Sequence, residues 1–355
     1  MSAARSRLTL MTTAMLFGAT ACSNSGTPVA LPHLVPSSAK HLRIEELKDL
    51  PRGYYNLYFP AALAVRGYAL WIADDIDQDA GQSAVARIAP SGKRTKTYLY
   101  QNDVSPSFEG IVAGPDGALW LTDWGDDQIL RVTTSGAIAT YPLRAYGSGA
   151  PEGIAVGPDG AMWFANNASN GPIGRITTGG TIATYSAGIS PGVAVQGIAL
   201  GPDDALWFCE SFGDRIGRID THGKATEFSA GITAGSQPYS IVAGPDGGLW
   251  FTELAAGRIA RITTKGKVTE YSRGITAGEH PNGIAAGLDG SLWFTESEGS
   301  YKYSNAKIGR ITTRGKITEY PVPTSDAEPT GIVQGPDGNI WFVETGVNRL
   351  GRVDL

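Results

Sequence analysis

Cysteine and histidine are scarce in this chain of 355 residues. The two cysteines, Cys22 and Cys209, lie far apart, and neither belongs to a Cys-x-x-Cys pair. This spacing argues against a disulfide framework and against a thiolate zinc site. Only four histidines are present, scattered along the sequence, so a metal cage built from several histidines is not expected either.

Charge is also sparse, since charged residues make up only 18% of the chain and the formal net charge is −5. The sequence contains no run of basic residues. Nucleic-acid-binding surfaces are strongly basic, so nucleic acid is not an expected partner. What the chain does have is 47 glycines and 21 prolines. This composition is typical of many short strands joined by tight turns.

The N-terminal apolar stretch, Leu8 to Ala19, is too short to span a bilayer. It follows Arg5 and Arg7, and small residues lead from it to Cys22. A positive start, a short apolar core and small residues before a cysteine predict a signal peptide over residues 1–22 whose Cys22 is lipidated. The alternative is an ordinary cleaved signal in which the cysteine is incidental.

Residues 23–40 are rich in Ser, Pro and Ala, which predicts a flexible tether. The chain is therefore expected to be exported to the cell envelope, in the periplasm or at the cell surface. A lipid anchor is its only expected membrane contact. The rest, residues 41–355, is predicted to be one domain, and we expect a monomer.

Seven tryptophans recur in one sequence context, 43 to 49 residues apart: Trp71, Trp120, Trp163, Trp207, Trp250, Trp293 and Trp341. A period in the forties is typical of β-propeller blades. Each repeat contains an apolar run, a Gly-Pro-Asp-Gly-like turn, the tryptophan strand, an Ile-Gly-Arg-Ile-like strand and an alternating outer strand. The pattern predicts an all-β, seven-bladed propeller of four-stranded antiparallel blades.

The last repeat stops after its third strand, at Gly351 to Leu355. The segment Arg43 to Leu47 has the pattern of the outer strand Lys316 to Tyr320. We therefore expect residues near 42–48 to complete the last blade and close the ring. The arginine of each third strand recurs in nearly every blade, which indicates a structural role.

The repeats Gly244 to Glu253, Gly287 to Glu296 and Ile308 to Pro321 resemble the streptogramin B lyase (virginiamycin B lyase) family. The resemblance extends from Arg43 to Leu355. It implies a lyase that opens a cyclic depsipeptide by elimination, with Mg²⁺ held by carboxylates and a histidine as the base. A neutral imidazole suits proton abstraction near pH 7, and a metal ion stabilises the charge that develops.

Both histidine positions of the family are substituted in this chain, by Asn282 and Thr330. Neither residue is a general base on its own. The family's glutamate before the second motif matches Glu328, and the carboxylate at the end of the second strand of blade seven matches Glu344. The resemblance therefore implies a Mg²⁺ site at Glu328 and Glu344, without the base.

Three rings of equivalent positions are predicted on the face that carries the variable loops. The channel-mouth ring consists of Glu109, Glu152, Gln196, Tyr239, Asn282 and Thr330. It is interpreted either as a set of ligand contacts, in which Glu109 and Glu152 hold a cation, or as the solvated rim of a channel. The next ring includes His280 and Glu328 on adjacent blades. His280 is interpreted as a displaced base oriented by Glu328 or as an exposed loop histidine.

The third ring follows each repeat tryptophan by three residues: Asp74, Asp123, Asn166, Glu210, Glu253, Glu296 and Glu344. A carboxylate in nearly every blade favours a structural role, with Glu344 as the functional candidate. Two functions remain open. One is a metal-assisted ring-opening lyase using Glu328, Glu344 and His280. The other is a non-catalytic propeller that binds a small cyclic ligand or an envelope protein.

Overall fold

The structure is a computed structural model that describes residues 43–46, 59–77, 82–101, 107–146, 149–166, 173–298 and 306–355. Cys22 and the expected signal and tether segments lie outside these residues. The described residues form seven four-stranded antiparallel sheets. None of their helices has the length and apolar character needed to cross a membrane.

The seven sheets follow one another along the chain as blades, each running from the innermost strand outwards. Blade one contains β2 (Phe59–Arg66), β3 (Ala69–Asp77), β4 (Gln82–Ile88) and β5 (Arg94–Gln101). Blade two contains β6 (Phe108–Ala113), β7 (Leu119–Asp123), β8 (Gln128–Val132) and β9 (Ile138–Pro142). Blade three contains β10 (Pro151–Val156), β11 (Met162–Asn166), β12 (Ile173–Ile176) and β13 (Ile182–Tyr185).

The remaining blades have the same arrangement. Blade four contains β14 (Val195–Leu200), β15 (Leu206–Glu210), β16 (Arg215–Ile219) and β17 (Ala225–Phe228). Blade five contains β18 (Pro238–Ala243), β19 (Leu249–Glu253), β20 (Arg258–Ile262) and β21 (Val268–Tyr271). Blade six contains β22 (Glu279–Ala286), β23 (Ser291–Glu298), β24 (Lys307–Thr312) and β25 (Ile317–Pro321). Blade seven contains β26 (Pro329–Gln334), β27 (Ile340–Glu344), β28 (Arg349–Asp354) and the N-terminal strand β1 (Arg43–Glu46).

The ring is closed by β1, which pairs antiparallel with β28, Arg43 opposite Asp354 and Glu46 opposite Gly351. Arg352 in β28 adds an ion pair to Glu45 at 2.7 Å. The innermost strands contact one another in a circle, and β26 of blade seven contacts β2 of blade one. Seven blades and closure by an N-terminal strand are therefore confirmed.

The hydrophobic core is divided into seven clusters, each between two neighbouring blades. The recurring third-strand glycine is explained by this packing. A Cβ atom at Gly309 would collide with the Phe294 ring. A second-strand Phe pairs with a third-strand glycine in blades three, four, six and seven, whereas in blade five Phe251 pairs with Ala260.

The repeat arginine joins a three-residue unit beside the Gly-Pro-Asp-Gly turns. In blade three, Asp159 accepts hydrogen bonds from the Trp163 indole at 3.1 Å and from Arg175 Nε at 2.7 Å. Arg175 lies over the Trp163 ring, which is a favourable cation–π contact. Burial opposes ionisation of Asp159, but the bonds from Trp163 and Arg175 outweigh it and lower the pKa of its carboxyl. The structure thus gives this arginine the structural role that the repeat indicated.

Candidate functional site

The channel-mouth ring lies at the start of the innermost strands of blades two to seven. All six side chains are buried, with exposed fractions of 8% for Glu109, 4% for Glu152, 5% for Gln196, 6% for Tyr239, 7% for Asn282 and 5% for Thr330. These side chains are therefore largely shielded from solvent, and their role as ligand contacts stays a prediction. In blades three to seven the strand pairing shifts register at these positions, which is the mark of a β-bulge.

Neighbouring innermost strands meet closely at this ring. A Cβ atom at Gly283 would lie 2.5 Å from the carbonyl oxygen of Thr330, and one at Gly110 would lie 2.8 Å from that of Glu152. Glycine after the ring residue therefore lets one backbone approach the next. Asn282 and Thr330 are consequently side by side on blades six and seven, as Glu109 and Glu152 are on blades two and three.

Three buried threonines fix the backbone of the ring across blade boundaries. Thr252 Oγ1 donates to the carbonyl of Asn282 at 2.8 Å, and Thr295 Oγ1 donates to that of Thr330 at 2.8 Å. Thr122 makes the same bond to the carbonyl of Glu152 at 2.5 Å. Each threonine lies about 30 residues from its acceptor, so the sequence alone did not reveal these contacts.

Thr252 and Thr295 also accept hydrogen bonds from the innermost strand of their own blade. The donors are the backbone N–H groups of Ser240, at 3.0 Å, and of Gly283, at 2.9 Å. Each hydroxyl thus ties two bulges together. Asn282 and Thr330 occupy the positions at which the resemblance implies histidine. The backbone carbonyls of both residues are fixed by these threonine hydroxyls.

Five carboxylates at the ends of the second strands are fully buried: Asp123, Glu210, Glu253, Glu296 and Glu344. Burial is the main cause that raises the pKa of Glu210 to about 8, of Glu253 to about 8 and of Glu296 to about 9. Burial likewise raises the pKa of Asp123 to about 7, although bonds from Gln128 and the Ser107 amide oppose the rise. These groups therefore hold a proton at or near neutral pH.

In blades four to six a repeated polar cluster lies beside each buried glutamate. A basic residue that begins the third strand pairs with an outer-strand glutamate, as in Arg215–Glu227 at 3.3 Å and Arg258–Glu270 at 2.5 Å. A hydroxyl from the preceding loop donates to that glutamate, for example Thr233 to Glu270 at 2.8 Å. These residues fix the loops that lead into the channel-mouth ring. The sequence does contain a pattern that could have predicted these hydroxyls. Gly-Ile-Ser/Thr recurs every 43 residues, ending at Ser190, Thr233 and Thr276.

His280 lies at the boundary between blades five and six. Its Nδ1 is 2.7 Å from the carbonyl oxygen of Leu254 in blade five. A carbonyl oxygen only accepts hydrogen bonds, so Nδ1 carries the proton and Nε2 of the neutral ring is left as an acceptor. This contact lies on the side of blade six that faces away from blade seven. The cooperation of His280 with Glu328 stays a prediction.

The backbones of Glu328 and Glu344 lie close together in blade seven, where β26 begins and β27 ends. Glu344 pairs across the sheet with Pro329, the residue after Glu328. Thr345, the residue after Glu344, donates to the carbonyl of Glu328 through its amide at 3.1 Å and its hydroxyl at 2.8 Å. Glu328 has a φ of +43°, a left-handed conformation that is unusual for glutamate.

Few side chains that could ligate a metal ion accompany Glu328 and Glu344. Across the part of the chain that the structure describes, no group of three or more His, Cys, Asp or Glu side chains is arranged to hold a metal ion. Mg²⁺ commonly binds through one or two carboxylates and keeps several waters, but Glu344 is fully buried, so a Mg²⁺ site at these two carboxylates stays a prediction. They do not fit a cage formed entirely by protein groups.

The family model and the solved structures identify the same family. The virginiamycin B lyase family model matches residues 64–232 and 190–355. Virginiamycin B lyase from Staphylococcus aureus is 34% identical over 88% of this chain and 99% of its own, with a TM-score of 0.74. A streptogramin B lyase structure is 30% identical over 88% of this chain and 98% of its own, with a TM-score of 0.75.

A third similar structure is a catalytically inactive histidine-to-alanine variant of the S. aureus lyase with quinupristin. It is 33% identical over 88% of this chain and 99% of its own, with a TM-score of 0.75. No curated protein sequence matches the chain significantly. The family model and the three lyase structures confirm the resemblance seen in the repeats.

Proposed function

Because the chain belongs to the virginiamycin B lyase family, we propose that it binds a small cyclic ester or peptide at the channel mouth. The observation that supports this function best is the channel-mouth ring. Six polar or aromatic side chains converge there from six blades. Small-molecule sites are typically concave and contain a few convergent polar groups on a rigid scaffold.

Binding without ring opening is the function that the ring chemistry favours. The resemblance assigns the base to positions that hold Asn282 and Thr330 here, and neither an amide nor a hydroxyl takes a proton readily near pH 7. The catalytically inactive S. aureus variant with quinupristin offers a parallel, since it also lacks one histidine. We therefore propose a family member that retains the ligand site and lacks the base.

A metal-assisted lyase is the second candidate, and the backbone proximity of Glu328 to Glu344 favours it. Both carboxylates would hold Mg²⁺ together with water, and the bound ion would supply stabilisation of negative charge on a carbonyl oxygen. Nε2 of His280 would accept the proton, because the contact of Nδ1 with the Leu254 carbonyl favours the tautomer protonated at Nδ1. In such an elimination His280 would take the proton, a C=C bond would form and the ring C–O bond would break, releasing the ester as a carboxylate without consuming water.

We also propose that the protein is exported and held in the cell envelope by a lipid on Cys22. The support is the order of segments before the propeller: Arg5 and Arg7, the apolar stretch from Leu8, the small residues before Cys22 and the tether over residues 23–40. A propeller presented in this way would meet ligands from outside the cell.

The two functions are separated by titrating the purified protein with quinupristin, with and without Mg²⁺, and following the ligand by chromatography and mass spectrometry. Binding with the ligand recovered intact supports the first function. Loss of the cyclic form with an unchanged mass indicates elimination, whereas hydrolysis would add one water. Absence of binding under both conditions would contradict the proposed ligand class.

A further inference from the structure

Asn282 and Thr330 each carry a buried polar atom that lacks a partner. Asn282 Oδ1 and Thr330 Oγ1 form no hydrogen bond with any described part of the chain, although both side chains are more than nine-tenths buried. Buried polar atoms are almost always hydrogen-bonded, and leaving one without a partner is costly. Two such atoms on adjacent blades indicate that a ligand group completes them.

The two residues form a fixed pair. A Cβ atom at Gly283, the neighbour of Asn282, would lie 2.5 Å from the Thr330 carbonyl oxygen. The backbone carbonyls of Asn282 and Thr330 are already bonded to the Thr252 and Thr295 hydroxyls. The side chains are therefore the groups left to meet a ligand. Each side chain keeps a small exposed fraction, 7% for Asn282 and 5% for Thr330.

The chemistry of the pair restricts the ligand. Asn282 Oδ1 only accepts, so it requires an N–H or O–H donor, whereas the Thr330 hydroxyl can donate to a carbonyl. A secondary amide supplies both an N–H and a C=O. An ester offers acceptors alone, and would leave Asn282 Oδ1 without a partner.

We propose that Asn282 and Thr330 form an amide-binding subsite, which makes this protein selective for cyclic peptides over cyclic esters. This inference rests on the proposed binding of a cyclic ligand at the channel mouth. Thr252 and Thr295 are positioning residues in this subsite, since they act only through the backbone. Neither Asn282 nor Thr330 ionises near neutral pH, so their contribution does not change over that range.

The test uses two small rings of equal size: the cyclic dipeptide of alanine, and lactide, in which each N–H is replaced by an ester oxygen. Affinities are measured by NMR titration. We expect the wild type to bind the cyclic dipeptide roughly tenfold more tightly than lactide, the usual scale of one buried hydrogen bond. Asn282→Leu and Thr330→Val should abolish this preference, so that each variant binds the two rings with about equal affinity. Thr330→Ser and Asn282→Asp, which keep the hydroxyl and the acceptor, should retain it.

Quinupristin serves as a separate probe of the proposed function, and circular dichroism shows whether each variant is folded. Equal affinity for the two rings, or a preference unchanged in a folded Asn282→Leu variant, would overturn the subsite. If quinupristin binds and neither small ring does, the ligand site stands and the amide subsite is wrong. If none of the three probes binds, the proposed function is wrong, and the amide subsite is wrong as well.

Discussion

The hydroxyl of Thr295 in blade six donates a 2.8 Å hydrogen bond to the backbone carbonyl oxygen of Thr330 in blade seven. The same hydroxyl accepts a bond from the amide of Gly283 in its own blade. One buried side chain therefore sets the spacing between two residues of the channel-mouth ring. Loss of this contact should affect both the stability of the ring and the placement of Thr330.

Thr295→Val should destabilise the propeller. Valine has the shape of threonine but leaves the Gly283 N–H and the Thr330 carbonyl without their partner. We expect a loss of about 2 kcal/mol of unfolding free energy, since each buried unsatisfied group costs about 1–3 kcal/mol. Denaturation in urea measures the change. Thr295→Ser keeps the hydroxyl and should recover most of the loss, so equal destabilisation by both variants would contradict the role of the hydroxyl.

The stability of the protein should decrease as pH rises from about 5 to 9, and Glu296→Gln should weaken this dependence. Burial, followed by the charges of Glu319 and Glu279, raises the pKa of Glu296 to about 9 against an ordinary 4.5, while Lys307 opposes the rise. The folded state therefore holds a proton that the unfolded chain has already lost in this range.

The destabilisation caused by Glu296 is absent below about pH 4.5. It grows as the pH rises, until the pKa of Glu296 in the folded state, about 9, is reached. Melting temperatures of the wild type and Glu296→Gln at pH 5 and pH 8 provide the measurement. Glu296→Gln should be more stable than the wild type at pH 8, by an amount on the order of 1–3 kcal/mol, and close to it at pH 5. A difference that is the same at both pH values would assign the effect to packing rather than to ionisation.

Thr330→His should create or increase lyase activity on quinupristin if the rest of the family's site is intact. A correctly placed general base contributes roughly 10²–10⁴-fold to a rate. Asn282→His alone should give a smaller increase, because an orienting role is expected at that position. The rate of loss of the cyclic ligand in the presence of Mg²⁺ is the measurement. If Thr330→His and the double variant both bind quinupristin and leave it intact, the lyase candidate is wrong.

Cys22→Ser should release the protein from membranes. A thioether-linked lipid requires the cysteine thiol, and serine cannot replace it in this linkage. Fractionation of cells expressing the wild type and the variant, with mass spectrometry of the mature N-terminus, tests the expectation. Membrane retention of Cys22→Ser, or a mature chain that begins after Cys22, would show that the segment is an ordinary cleaved signal.

The sequence by itself determined the repeat and hence the architecture. The tryptophan spacing, the Gly-Pro-Asp-Gly turns and the alternating outer strands are local patterns, and in six of the seven blades the four paired strands follow one another along the chain. The match between Arg43 to Leu47 and the outer strand of blade six also predicted closure by β1, which the pairing with β28 confirms. The positions of the channel-mouth ring could be aligned for the same reason.

Only the tertiary structure decided how those positions are held and what surrounds them. Two of the contacts join different blades: the bond from Thr295 to Thr330 and the contact of His280 with Leu254. The buried environment of Glu296 is likewise formed by residues of different strands. Such contacts follow from the packing of one sheet on the next, and they depend on the exact placement of side chains at the bulges. A repeat pattern fixes which residues are equivalent, whereas the closed ring fixes which of them touch.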